Sequence, residues 1–352
     1  MPQPLISQST LSEPSVSQPT TPQPEVTLVV VPRERFSYTR QSLESIYQQT
    51  QIPFDLVYVD GNSPAPIQTY LAEQAKAKNF TLLRTEHYLS PNQARNLGLE
   101  QVNTKYLVFM DNDVILSPGW LEKLMQCAED TDAAVVGPLM CEDEPVHQMV
   151  HFAGGESHVW IDKKGQRRLR EKMYLQGKRV DEVEDRLKRQ PTELAEFHCV
   201  LVRRSIFDQL GALDEKMMNT KEHLDFCMAV RDMGEQVYFE PSSVVTYVPG
   251  PPLKLTDVHF YMLRWSNDWT LSSLNRIREK WILSEDAYFT TKYKKLGWRR
   301  RQTLIDPFAR RLLIGVGSRF LAKVMGKLEH PINRYVTRSH EQRNRQPLDL
   351  KS

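Results

Sequence analysis

Short apolar runs alternate with segments in which apolar side chains recur every three or four positions, and the alternation continues from Val26 to Asp111. Val26-Thr27-Leu28-Val29-Val30-Val31 is rich in β-branched residues and stops at Pro32, which predicts a strand. Arg40 to Gln49 then carries Leu43, Ile46 and Tyr47 at helical spacing. Phe54 to Val59 predicts a second strand, closed by the turn-forming Asp60-Gly61-Asn62-Ser63-Pro64. A helix near Pro66 to Lys78, a short strand over Phe80 to Arg84, a helix near Pro91 to Gln101 and a strand ending in Asp111 complete the series.

Strands joined through helices by short loops predict an α/β fold, with a Rossmann-like, mostly parallel sheet and helices on both faces. Such sheets bind ligands beyond the carboxyl ends of their strands. Pro32, Arg33, Asp60, Asp111 and Asp113 therefore fall on one rim. Downstream, the charged stretch Lys163 to Arg189 reads as an inserted helical pair or a flap. Glu196 to Val202 is strand-like, Ser205 to Leu210 helical, and a further helix carries Glu222, His223 and Asp225 near its start. Gln236 to Phe239 and Ser243 to Tyr247 read as two short strands, and beyond Thr256 the pattern is helical to about Val336.

Residues 1–24 are rich in Pro, Ser, Thr and Gln with almost no charge, a composition that does not offset the entropy of ordering and predicts a disordered leader. The chain then divides into an α/β domain over residues 25–255 and a helical basic extension over residues 256–352. The net charge of +2 hides an asymmetry: from Thr291 onward there are sixteen Lys or Arg against four Asp or Glu, so the rest of the chain is acidic. Four scattered cysteines suggest neither zinc nor disulfides, and a reducing, cytoplasmic setting fits them. No apolar run approaches the roughly 20 residues that span a bilayer, so membrane contact is expected to be peripheral, at the inner face.

Asp111 and Asp113 close the most apolar strand. Alternation in extended backbone points them the same way and Asn112 the other. Two hard oxygen ligands suit Mg²⁺ or Mn²⁺, which completes its shell with substrate phosphates and water. A polar strand-to-loop turn is the plainer reading of the same three residues.

With these residues in order, the stretch from about Val26 to Val248 resembles the family 2 glycosyltransferases of GT-A fold. The resemblance is carried by the first strand ending in Pro32, the Gln41 to Thr50 helix, the Asp60-Gly61 turn, Ala94-Arg95-Asn96-Leu97-Gly98-Leu99, Phe109-Met110-Asp111-Asn112-Asp113, and Gly211-Ala212-Leu213-Asp214-Glu215. It implies inverting transfer of a sugar from a nucleotide diphosphate donor, UDP- or GDP-linked, to a polysaccharide or glycolipid acceptor. Pro32, Arg33, Asp60, Arg95, Asp111 and Asn112 would then bind the donor nucleotide, with Asp60 at the base and Arg95 at the nucleotide or its phosphates. Asp111 and Asp113 would hold Mn²⁺ or Mg²⁺. Taken alone, Asp60 fits a capped turn equally well and Arg95 an exposed helix position.

Family 2 enzymes take their general base from a Glu-Asp pair, and the matching run here is Glu222-His223-Leu224-Asp225. An imidazole accepts a proton at neutral pH, so His223 or Glu222 is expected to be the base, with Asp225 orienting the loop or the acceptor. Otherwise Glu222 and Asp225 merely favour a helix N-terminus. Two further departures stand out. The family's usual Pro-x-Tyr-Asn is Pro32-Arg33-Glu34-Arg35, leaving Phe36 or Tyr38 to supply the missing aromatic, and a metal-completing His is replaced by Tyr247, with His259 as substitute.

Leu304 to Leu328 repeats apolar residues every three or four positions, including Phe308, Leu312, Leu313, Val316 and Phe320, among Arg310, Arg311, Arg319, Lys323 and Lys327, and is interrupted by Gly315 and Gly317. Such a helix lies on an anionic membrane or packs on the domain with its charged face in water. No nucleic acid is expected as partner. A sugar nucleotidyltransferase and a catalytically silent nucleotide-sugar or glycan-binding protein are the competing functions.

Overall fold

The computed structural model describes residues 23–248, 253–312 and 316–343. Most of the expected leader therefore lies outside the described residues, as do Leu313, Gly315 and the side chain of Val316 from the basic apolar pattern. Four strands form the frame: β1 (Val26–Val31), β2 (Asp55–Gly61), β3 (Thr81–Thr85) and β4 (Tyr106–Asp111). They pair in parallel in the spatial order β3-β2-β1-β4. Every residue of β1 and β4 is buried, as expected of central strands covered on both faces.

The connections are α1 (Thr39–Gln49), α2 (Ala65–Lys78) and α3 (Pro91–Leu99). From β1 to β3 the chain steps outward through the sheet, then doubles back to β4 on the far side of β1. Right-handed crossovers place α1 and α2 on one face and α3 on the other. The reversal leaves a crevice between the ends of β1 and β4. Arg33 and Asp111 both open onto it. Pro91 and a Ser90–Gln93 capping box start α3, with the Ser90 N–H donating to Gln93 Oε1 at 3.0 Å.

The second half completes the sheet with β5 (Val114–Leu116), α4 (Trp120–Thr131), β6 (Val135–Glu142), β7 (Met149–Phe152), a hairpin of β8 (Gly155–Ile161) and β9 (Arg167–Met173), β10 (Gln190–Thr192), β11 (Cys199–Arg203), α5 (Ile206–Leu210), α6 (Glu222–Asp232) and β12 (Val237–Tyr247). Strand β11 runs antiparallel between β4 and β6, while β6 and β12 are parallel. The two short strands expected around residue 240 are the single strand β12, whose register slips between Glu240 and Val244.

The Lys163 to Arg189 stretch is not a helical pair. It contributes β9 of the hairpin and two short 3₁₀ turns. Its charges pair within and across the hairpin, Arg170 with Glu156 and Arg168 with Asp162, both at 2.7 Å, so their density reflects the pleat of a ribbon and not helical i,i+4 spacing.

The extension is helical as expected: α7 (Leu255–Arg264), α8 (Asn267–Lys280), α9 (Ala287–Lys294), α10 (Trp298–Arg300) leading through a π-helical turn into α11 (Asp306–Leu312), and α12 (Val316–Arg343). Helix α12 is seated by polar groups: Arg300 pairs with Glu329, and Asn333 Nδ2 donates to the Met262 carbonyl at 2.8 Å. Its large apolar residues face outward, Phe320, Leu328, Ile332 and Tyr335 being 56–73% exposed. Of the two arrangements open to this pattern, packing with the apolar face inward is therefore not seen for α12: its cations and its large apolar residues both face outward, while α7 and α10 meet its polar side with a carbonyl and an arginine.

Helix α3 approaches the sheet closely at Gly98, where a Cβ would lie 2.2 Å from Val29 Cγ1. Replacing Gly98 with Val should therefore destabilise the fold by about 1–3 kcal/mol through overpacking, read as a lowered midpoint in urea denaturation with unchanged slope.

Candidate functional site

Arg33, at the end of β1, lies 3.5 Å from Asp111 Oδ2, 3.6 Å from Glu34 and 3.9 Å from Glu222. From α3, the fully buried Arg95 reaches Asp111 Oδ1 at 3.3 Å and Glu222 at 3.9 Å, with its guanidinium 4.2 Å above the Phe197 ring. Arg95 is therefore not an exposed helix residue. From α7, Arg264 comes within 3.6 Å of Glu222. Three guanidiniums and two carboxylates thus interlock at the crevice, with Glu34 beside them, all buried except Arg33, whose side chain is 11% exposed.

Burial by itself raises the Asp111 carboxyl, but Arg33, His198 and Arg95 outweigh it and hold it at about 2. His198 Nδ1 lies 2.8 Å from Asp111 Oδ2. Burial and then Arg33 pull this imidazole down to about 3, so it is neutral beside the carboxylate. Its ring stacks on Tyr247 with centroids 3.9 Å apart. His198, which sequence reasoning missed, is thus the histidine at the acidic pair. His259 packs edge-on against Tyr88 instead.

Asp113 is the opposite case. It is fully buried and neither carboxylate oxygen has a hydrogen-bond partner. Burial, then Asp111 and Glu34, raise it well above the usual carboxylate range. A hard divalent cation fits such a carboxylate, since it supplies the missing positive charge. Asp111 is already shared among cations, and no group of three His, Cys, Asp or Glu poised for a metal occurs among the described residues.

The remaining expected residues divide. Asn112 accepts from the Arg33 N–H at 2.9 Å and donates to Thr39 Oγ1 at 3.1 Å, so it ties down the loop after β1 and turns away from the crevice. Pro32 is buried against Gly61, where a Cβ would lie 3.0 Å from Pro32 Cγ. Asp60 accepts from the Ser63 N–H and Oγ at 2.9 and 3.0 Å and pairs with Arg84. Its carboxylate is engaged in a capped turn at the rim. Phe36 is consumed in packing with Tyr88 and Phe260, leaving Tyr38 half-exposed with its hydroxyl donating to Glu144.

A cleft of about 360 Å³ opens beside this network and is lined by Arg33, His198, Glu222, His223, Glu196 and Tyr247, among others. Glu222 is lowered despite its burial, by Arg264, Arg95, His223 and Arg33 in turn, which makes it a poor proton acceptor. His223 Nε2 stands 3.4 Å from Glu196 Oε1. Asp225 is turned away, bound to Lys280 at 2.7 Å and Trp281 Nε1 at 2.8 Å, and fastens α6 to the end of α8.

A profile of "Glycosyl transferase family 2" matches residues 27–211, just over half of the sequence. The chain belongs to glycosyltransferase family 2. The family 2 chain is 26% identical over 223 residues to the pre-mycofactocin glycosyltransferase of Mycobacterium tuberculosis, covering 63% of this chain and 42% of that protein. It is 23% identical over 232 residues to the O-antigen biosynthesis protein RfbC of Myxococcus xanthus, covering 60% and 16%. The family 2 chain thus spans less than half the length of these relatives. Among solved structures it is similar to GalNAc-T7 with UDP, GalNAc and Mn²⁺, at 15% identity and a TM-score of 0.49, covering 80% of this chain and 57% of that one.

The two acids should respond oppositely to neutralisation. A carboxyl raised by burial stabilises the fold while protonated, and that contribution is lost as pH rises through its folded value. Asp113→Asn should therefore raise stability at pH 8 by about 1–2 kcal/mol in the ligand-free protein. Asp111 stabilises while ionised, and this is lost as pH falls toward about 2. Asp111→Asn should lower stability by about 3 kcal/mol, since it leaves buried guanidiniums unpaired. Thermal unfolding of both variants at pH 5 and pH 8 checks the signs.

Proposed function

We propose that the chain transfers a sugar, with inversion, from a nucleoside diphosphate donor, a UDP- or GDP-sugar, to a hydroxyl of a polysaccharide or glycolipid. The observation that carries this reading is the junction of two unlike halves at one crevice: a buried acid–guanidinium network at the ends of β1 and β4, and an open cleft holding His223. Family membership supplies the reaction type.

In this reading Arg33 and Arg95 bind the donor's diphosphate, which gains charge as it leaves. Asp113, with Asp111, would hold Mn²⁺ or Mg²⁺, which would supply stabilisation of that same charge. His223 accepts the proton of the acceptor hydroxyl. The hydroxyl oxygen forms its bond to the anomeric carbon on the face opposite the diphosphate, and the bond from that carbon to the diphosphate oxygen breaks. Glu196 orients the imidazole and stabilises it once protonated. Glu222, surrounded by guanidiniums, sets their geometry and takes no proton.

Contact with an anionic membrane belongs to the same proposal, with the glycan acceptor lipid-linked. Among the described residues no helix is long and apolar enough to cross a bilayer. On α12, however, Phe320, Val324, Leu328, Ile332 and Tyr335 form one exposed stripe, and Lys323, Lys327 and Arg334 are exposed beside it. An apolar stripe flanked by cations, with the polar face already occupied, suits the boundary between headgroups and acyl chains.

His223→Ala should lower kcat for transfer by 10²–10⁴-fold while leaving UDP affinity within about twofold, whereas Asp113→Ala should abolish any Mn²⁺ dependence of UDP binding. Nucleotide bound without transfer to any acceptor would instead identify a binding protein. Phe320→Ser/Leu328→Ser should reduce cosedimentation with phosphatidylglycerol vesicles at least tenfold without lowering donor affinity. Equal sedimentation of the wild type and this variant would reject the membrane contact.

A further inference from the structure

Next to the cleft, and sharing Lys221, Trp265, Lys292 and Arg299 with it as lining, lies a second cavity of about 260 Å³. Its outer wall is the turn between α9 and α10. Gly297, at φ +73°, reverses the chain there, so that Lys292 and Lys295 before the turn and Trp298 and Arg299 after it border the same space.

The charge in this cavity is unbalanced. Lys221 is committed, its ammonium 2.7 Å from both oxygens of Glu171, which also accepts from the Tyr288 hydroxyl. Lys292, Lys295 and Arg299 make no ion pair among the described residues, and no Asp or Glu lines the cavity. Lys292 is pulled down to about 8, first by the neighbouring Lys221 and then by burial, which together outweigh the opposing pull of Glu171 from the adjoining cleft. The wall also offers flat apolar surface. The Arg299 guanidinium lies 4.1 Å over the Trp265 ring, and Trp298 is 51% exposed.

We infer that this cavity is an acceptor subsite for a saccharide bearing a phosphate or carboxylate, with the charged group held by Lys292, Lys295 and Arg299 and the sugar ring against Trp298. The indole faces the C–H side of a pyranose while the cations select its anionic substituent. The inference rests on the glycosyltransferase reading and names its acceptor class. Because the subsite adjoins His223 through shared walls, the anionic residue lies beside the sugar that is extended.

The test is calorimetric titration of the full chain, saturated with UDP so that the donor site is closed, with glucose 6-phosphate, glucuronic acid and methyl glucoside. Both anionic sugars should bind at least tenfold more tightly than the neutral one, and Lys295→Glu should abolish that preference. Lys294→Ala, an exposed neighbour that does not line the cavity, should leave it intact. Equal affinity for charged and neutral sugars, or an unchanged preference in Lys295→Glu, overturns the inference. So does inorganic phosphate binding as tightly as glucose 6-phosphate, which would mean an anion site without a sugar wall. Phosphatidylglycerol vesicles form the lipid arm: loss of vesicle binding in Lys295→Glu without any sugar preference assigns the cations to headgroups instead. UDP affinity, measured first on every protein, separates the outcomes, because its absence defeats the proposed function while leaving the saccharide result readable.

Discussion

The ion cluster of Arg33, Arg95, Arg264, Asp111 and Glu222 is the constraint on which the rest of the crevice depends. Buried charges are tolerated only when each has an opposite partner close by, and here every member comes from a different element: the end of β1, α3, α7, the end of β4 and the start of α6. The cluster therefore clamps five elements at once. It also leaves some of its own members short of partners, for Arg264 Nε and Nη2 and Glu222 Oε2 make no hydrogen bond. Burial and then Arg33 hold the Arg264 guanidinium down to about 9. Its cations are thus assembled by the fold itself, with Arg33 reaching the open cleft.

Asp113 shows the other side of the same physics. Burial and its acidic neighbours outweigh Arg33 and Arg35, and its oxygens have no hydrogen-bond partner, so the folded chain bears a cost when this acid is ionised. Asp111 and Asp113 stand two residues apart at one strand end, yet one is lowered and the other raised. Their difference lies in the balance around each: Arg33, His198 and Arg95 outweigh burial at the first, whereas burial, the first acid and Glu34 outweigh Arg33 and Arg35 at the second.

The extension does more than cover the sheet. Helix α7 delivers Arg264 to the ion cluster, the turn before α10 supplies the basic cavity beside His223, and α12 is bound through polar contacts that leave its apolar side outward. Within the basic end of the chain, Arg300, buried against Glu329 and the Trp265 carbonyl, is purely structural.

Continuous apolar runs in β1 and β4, helical spacing in α1 and the turn chemistry at Asp60-Gly61 made the parallel frame and its ligand-binding rim readable, because these features are local in the chain. Arg33, Asp111 and Asp113 could be placed on that rim for the same reason. The sequence could not show that β11 would run antiparallel beside β4 and bring His198 against Asp111, since strand pairing over such separations is decided by packing. Nor could it show that Asp225 and Asn112 would be spent on structural hydrogen bonds, or that Glu196 would stand by His223. Periodicity foretold an amphipathic α12, but which of its faces meets the protein depends on what the partner helix presents. Residue type and spacing therefore determined the elements and their chemistry, while charge pairing across distant elements, which only the folded chain brings within reach, decided which acids remained free to act.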